Sequence, residues 1–274
     1  MNIVWAVLIT LAATAIAVGA MLLVRRRAPE GGYFADGDRA AGVFGVLATG
    51  FSVLLGFIVF LAFTSYDQSR TGAEREALTV LQQIETAQFF PGSSGDRLTG
   101  ELVCYGRSVV HDEWPRMRDG TLGDTLNPWG VRLFLTLKTV DPQTATQQSA
   151  YDKWVDQTSD REEARLDRVH GAVGVIPPQL WIVLFIVAGI IFVYTLFFAD
   201  SSERAVVQSL LIGSVVAVMT TMLLLLGALD RPFHGGVGGL DPVAMERTLG
   251  LADDAIAAVG AHPTIPCDAT GRAS

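Results

Sequence analysis

Between residues 40 and 90 the polarity of the chain changes while its period does not. AAGVFGVLATGFSVLLGFIVFLAFT (40–64) is apolar on every side. SYDQSRTGAEREALTVLQQIETAQFF (65–90) keeps only a stripe, Ala73, Ala77, Val80, Leu81, Ile84 and Ala87, at three- and four-residue steps. No proline occurs between Pro29 and Pro91. The pattern predicts one unbroken helix, about 75 Å long at 1.5 Å per residue, against a hydrocarbon core of roughly 30 Å. It crosses a bilayer and stands clear of it, and the later helices of the chain are expected to pack on its stripe.

Three further stretches, 2–24, 179–199 and 205–229, are apolar over about one bilayer thickness. The first is followed by Arg25, Arg26 and Arg27 and preceded by nothing basic, the reverse of a secretory signal, so it is taken as a retained span. A turn-rich loop with Pro29, Gly31, Gly32 and Gly37 pairs it with 40–64, and the five-residue DSSER connector forces the last two spans to be antiparallel neighbours. The predicted fold is all-α: a transmembrane hairpin (1–64), a helical stalk domain (65–178), a second hairpin (179–229), and a C-terminal turn, helix and loose tail (230–274).

Within the stalk, the PGSSGD turn starts a helix with Leu98, Leu102, Tyr105 and Val109 inward, and a break follows near Pro115. Leu133, Phe134, Leu137 and Val140 mark a short helix after Pro128. A long polar helix across 143–175 is anchored by Tyr151, Trp154, Val155, Leu166 and Val169. Ile176, Pro177 and Pro178 end it, with proline tolerated in the first turn of the next span. The tail opens on DRPFHGGVGG, carries one amphipathic helix across 242–259, and ends in HPTIPCDATGRAS, read as loose.

Composition agrees with a membrane protein: of 274 residues, 50% are hydrophobic. The net charge is −8, and 65–178 holds 12 basic and 17 acidic residues, so nucleic acid is excluded as a partner. Membrane lipid and further copies of the chain are the expected partners. The triple arginine with Arg39 places the first loop in the cytoplasm of a bacterial plasma membrane, and the stalk and both termini outside it. Arg70, Arg75, Arg161, Arg165 and Arg168, near the bilayer on the stalk side, pull the other way. Cys104 and Cys267 fall on one side of this topology, where they either pair or stay separate thiols; two cysteines carry little spacing information.

The spans contain no Asp, Glu, Lys, Arg or His. A coupled carrier needs an ionisable group near the midplane, so active transport is disfavoured, whereas a passive pore is not. Gln208, Ser209, Ser214, Thr220 and Thr221 read as helix-to-helix contacts. Ala13 with Ala17, Ala41 with Gly45, and Gly213 with Ala217 stand four apart, which suits close packing either inside the chain or, for the glycine-rich second span (Gly42, Gly45, Gly50, Gly56), around an oligomer axis. Outside the membrane, His111, Asp112 and Glu113 are adjacent and so diverge by about 100° each on a helix. They read as a solvated helix end, and His170 and His234 as structural. No catalytic residue, metal site or cofactor is expected.

The order of two spans, VVHDEWP (109–115), IPPQLW (176–181) and LDRPFHG (229–235) resembles the bacterial bestrophin-like membrane family, a family without an established activity, over nearly the whole chain. More distantly, SVLLGFIVFLAFT (52–64) is similar to the pore helix of true bestrophins, which are pentameric anion channels lined by their second helix. That resemblance implies a pore along the second span with Val53 and Phe57 as its neck and Thr49 one turn earlier. Their constriction phenylalanine is replaced by Val53, and their calcium-clasp acidic run is missing. Two readings result, an oligomeric ion channel and a non-conducting scaffold or sensor whose stalk binds a protein or envelope component. An exposed apolar patch around Trp114, Trp129 and Trp154 would favour the scaffold.

Overall fold

Asp36 begins the long helix: its carboxylate accepts the Arg39 amide hydrogen at 3.0 Å, so the helix starts three residues before the apolar run. In the computed structural model, which describes residues 3–29, 32–122, 125–260 and 262–274, the elements are α1 (Ile3–Arg25), α2 (Gly37–Ala87), α3 (Gly92–Ser108), a π-turn (Val109–Glu113), α4 (Trp114–Arg118), α5 (Pro128–Leu137), α6 (Ala145–His170), α7 (Pro178–Phe197), α8 (Ala205–Asp230) and α9 (Val243–Ala258). The protein is all-α, and α1, α2, α7 and α8 are long and apolar enough to cross a membrane. Two compact units divide the chain.

The first unit holds residues 1–65, 174–230 and 236–238. Phe51, Leu55, Ile58 and Ala62, one stripe of α2, pack with Leu184, Ile191 and Leu226 of α7 and α8. Small residues bring α1 and α8 together: a methyl group on Gly213 would stand 3.3 Å from the Thr14 methyl, and Ala17, Met21 and Ile212 are buried there. The Arg25 guanidinium donates to the carbonyl oxygens of Asp200, Ser201 and Glu203, tying the two short connectors to each other. Asp230 accepts the amide hydrogens of Val175 and Ile176 at 2.8 and 2.9 Å, which caps the chain as it enters α7. Gly174, at φ +77°, sits against Asp230, in a conformation that a side chain would strain.

The second unit holds residues 66–173, 231–235 and 239–274. Its core takes Ala77, Val80, Ile84 and Ala87 from α2, with Leu98, Leu102, Tyr105 and Val109, as the apolar stripes require. Three expectations need correction. The chain does not break at Pro115: it runs through the π-turn into α4, and the wider turn gives room for a proline ring that would crowd a regular α-helix. On α5 and α6 the outward residues include Phe134, named from the sequence as a marker of α5, and Val155 and Leu166, expected as anchors of α6. The inward face of α6 is Ala150, Trp154, Gln157, Arg161, Ala164 and Arg168, a four- and three-residue stripe that is half polar.

The third correction concerns the tail, which is docked rather than loose. Gly100, Cys104 and Ser108 stand at four-residue steps on one face of α3, and the tail lies across them. A methyl group on Gly100 would meet the Thr264 carbonyl oxygen at 2.2 Å, and one on Gly271 (φ +80°) would meet the Ser108 amide nitrogen at 2.4 Å. Cys104 and Cys267 are joined by a disulfide, and the Trp129 indole donates to the Gly271 carbonyl at 2.7 Å. Asp268 closes the turn by accepting from the amides of Thr270 and Arg272 and from the Thr270 hydroxyl. These hydrogen bonds hold its carboxyl below the usual value, the Thr270 hydroxyl first among them.

Candidate functional site

The face of α2 opposite its packed stripe is uncovered. Thr49, Val53 and Phe57 point away from the rest of their unit, with Val53 55% and Phe57 67% exposed. At 100° per residue, Gly42, Gly45 and Gly56 share that side with them, within roughly 120°. A methyl group on Gly42, Gly45, Gly50 or Gly56 would meet nothing within 4 Å. Among the described residues, the glycines of this span therefore pack against nothing inside the chain, unlike Gly213. The three predicted neck positions lie on one face, and all three are exposed.

A second cluster, buried in the helical unit, carries the molecule's concentrated charge. Arg168 of α6 is fully buried and donates from Nε and Nη2 to both carboxylate oxygens of Glu76 on α2, and from Nη2 to Glu113 of the π-turn. Glu113 also accepts from Arg165 at 2.8 and 3.1 Å and from Asn127 at 3.0 Å. Tyr105 donates its hydroxyl to Glu76. Arg161 stacks 4.9 Å from the Tyr105 ring and donates to Gln83 at 2.7 Å. Asn127 caps α5, accepting the Trp129 amide hydrogen while its own amide reaches Ser108 and Glu113. The cluster thus ties α2, α3, the π-turn, α5 and α6 into one bundle.

The electrostatics follow from burial and pairing. Burial by itself raises the Glu113 carboxyl, but the Arg168 and Arg165 guanidiniums outweigh it and hold the group below its usual range. Burial likewise disfavours charge on Arg168, and Glu76 and Glu113 overcome this and keep it protonated. Burial, then the Glu76 carboxylate, pushes the Tyr105 phenol well above its usual value. Glu76, Glu113, Arg168 and Tyr105 are tied to one another through ion pairs and hydrogen bonds, so the cluster acts as a clamp between these elements.

Of the other predicted positions, Glu113 is not part of a solvated helix end: it is buried and paired, and only His111 and Asp112 face outward. Among the described residues no group of three or more His, Cys, Asp or Glu could hold a metal ion. His234 is partly buried and its imidazole is shifted down by that burial. Trp114, Trp129 and Trp154 are each at most 3% exposed, so they form no surface patch. Of the outward apolar residues of α5, Val131, Phe134 and Leu135, only Phe134 was named from the sequence, and it was named together with the residues that face inward. The polar stripe Gln157, Arg161, Arg168 was also missed, although its helical spacing is visible once charges are allowed to face inward.

Comparison with known proteins gives a consistent result. The profile of the Bestrophin-like domain matches residues 11–238. No curated protein matches the chain. Among solved structures, a bacterial bestrophin homologue from Klebsiella pneumoniae is similar over 96% of this chain and 100% of its own, with 12% identity and a TM-score of 0.66. A point variant of a bacterial bestrophin homologue from the same organism matches over 92% and 99%, with 14% identity and a TM-score of 0.65. At such identity the likeness is one of fold.

Proposed function

Since this chain belongs to the Bestrophin-like family, we propose that it is an oligomeric ion channel in which α2 of each copy lines the pore and Thr49, Val53 and Phe57 face it. The observation that carries the proposal is the uncovered glycine side of α2, which leaves room for a second copy at close range. The absence of ionisable residues from the spans suits passive conduction through an apolar constriction. The exposed tryptophan patch that would favour a scaffold is missing. The test is single-channel and flux recording from purified protein in planar bilayers and liposomes. Conductance that changes in size or gating with Val53→Ala and Phe57→Ala supports the pore, and the reversal potential in asymmetric salt gives the sign of the ion. Silence across salts, pH and voltage, from folded and oligomeric protein, refutes it and directs attention to the apolar outer face of α5.

We further propose that the helical unit faces the outside of the cell. The disulfide between Cys104 and Cys267 belongs to an oxidising compartment, and the Arg25, Arg26, Arg27 loop favours the cytoplasm for the opposite connector. In a cysteine-free background, a membrane-impermeant maleimide applied to intact cells should label Gln88→Cys and spare Ser202→Cys. The reverse pattern would overturn this sidedness.

A further inference from the structure

A groove of about 710 Å³ runs along α7 from Ile186 to Phe197. At 1.5 Å per residue that is about 16 Å, close to half of the roughly 30 Å hydrocarbon core, so the groove has the depth of one leaflet. Its floor is bare at Gly189, where a methyl group would meet nothing within 4 Å. Its rim is built by the connector that follows α1. Tyr33 sets its ring edge-on to Phe197 at 5.7 Å, and Phe34 stacks on Tyr194 at 5.8 Å. The rim is also tied to the end of α1. The Tyr33 hydroxyl donates to the Val24 carbonyl oxygen at 3.3 Å, and the same oxygen accepts the Arg27 amide hydrogen at 3.0 Å. The groove's rim and the triple arginine therefore meet at one atom. Of those arginines, Arg25 is held by the carbonyls of the α7–α8 connector. Arg26 and Arg27 are exposed, and their side chains have no partner among the described residues.

We infer that this groove holds one acyl chain of an anionic phospholipid whose phosphate is taken by Arg26 and Arg27. An apolar groove alone would accept any acyl chain, and two arginines alone any phosphate. Their junction at Val24 selects a molecule that carries both, with the charge at the end of the chain. Guanidinium forks match phosphate oxygens in pairs, and a basic segment at the membrane surface favours anionic over zwitterionic lipid. The aromatic pairs hold the connector against α7, so the groove is formed before the lipid arrives, and Gly189 lets the chain approach the helix backbone. Leu184 and Ile191 turn α7 toward α2, and the groove lies on the other side of α7. Its occupancy is therefore independent of the proposed pore.

The test reconstitutes the full-length protein into nanodiscs of equal parts dioleoyl phosphatidylglycerol and dioleoyl phosphatidylcholine, extracts it into mild detergent, and counts retained lipid by native mass spectrometry. About one phosphatidylglycerol per chain is expected, in excess over phosphatidylcholine by on the order of tenfold. Arg26→Gln combined with Arg27→Gln should bring the two lipids to parity. Gly189→Leu keeps every charge but fills the groove, and should remove the retained lipid while its elution profile matches wild type. Gly19→Leu, at an open glycine of α1, should retain lipid as wild type does. Parity of the two lipids on wild type overturns the inference. So does selectivity unaffected by the arginine substitutions, or wild-type retention by Gly189→Leu. Displacement of the lipid by millimolar glycerol 3-phosphate also overturns it, because that result assigns a phosphate site without an acyl chain.

Discussion

Replacing Arg168 by Met tests the buried clamp most directly. The methionine fills much of the space but removes a charge that serves two carboxylates. Glu113 would keep Arg165 and Asn127, whereas Glu76 would keep only the Tyr105 hydroxyl. Stranding a buried partner in this way costs about 3–5 kcal/mol. For a unit of this size, each kcal/mol lowers the melting temperature by about 2–4 °C, so the helical unit should melt on the order of 10 °C earlier. Adding Glu76→Gln to Arg168→Met removes the stranded charge and should restore more than half of the loss. The assay is thermal unfolding of the full chain in detergent, followed by circular dichroism, as a double-mutant cycle. A loss under about 1 kcal/mol for the single variant, or no restoration in the double, would refute the claim that Arg168 works through Glu76.

Three other outcomes rest on the same contacts. Because pairing lowers the Glu113 pKa from 4.5, its contribution is present above that value and lost as pH falls through the lower folded value. Wild type should therefore show a fall in melting temperature in that acid range that Glu113→Gln lacks, which a pH series of melts checks. Cys267→Ser opens a covalent link across 163 residues and should cost about 2–4 kcal/mol, less than chain entropy alone would give because spans inserted in the membrane already restrain the ends. Equal melts with and without reductant would contradict this. Gly271→Ala forces a methyl against the Ser108 backbone at positive φ and should release the tail, read as faster proteolysis after residue 260.

The apolar periodicities made the four spans, the long α2, the inward face of α3 and the existence of α9 legible, because burial there is hydrophobic and leaves a stripe. Residues Arg161 and Arg168 were illegible by the same rule. A charge is assigned to solvent unless its partner is known, and their partners lie 78 to 92 residues away on α2. Glu113 was hidden in the same way, since its role depends on a π-turn that no local propensity announces. The tail looked loose because its anchors are a disulfide and close backbone approaches. The signal that could have located them was Gly100, Cys104, Ser108, three small residues on one helical face outside the membrane. At the uncovered side of α2 the glycines were visible in the pattern, but not that, among the described residues, nothing packs on them.

That last fact bears most on function. Glycine weakens a helix by about 1 kcal/mol relative to alanine and offers no contact area to lipid, so it is useful in a span where another backbone comes close. Gly213 has that use inside the chain, against Thr14 and Val18. Gly42, Gly45, Gly50 and Gly56 do not, while Gly19 and Gly189 are open but solitary on their helices. A neighbouring copy is the partner that would make four glycines on α2 useful. Gly45→Leu and Gly56→Leu should therefore shift the detergent-solubilised protein to smaller species by light scattering, without changing its helicity. Gly189→Leu, on α7, should leave the assembly unchanged. If the α2 variants assemble like wild type, or if Gly189→Leu disrupts assembly equally, then α2 does not line an oligomer axis and the pore assignment of Thr49, Val53 and Phe57 fails with it.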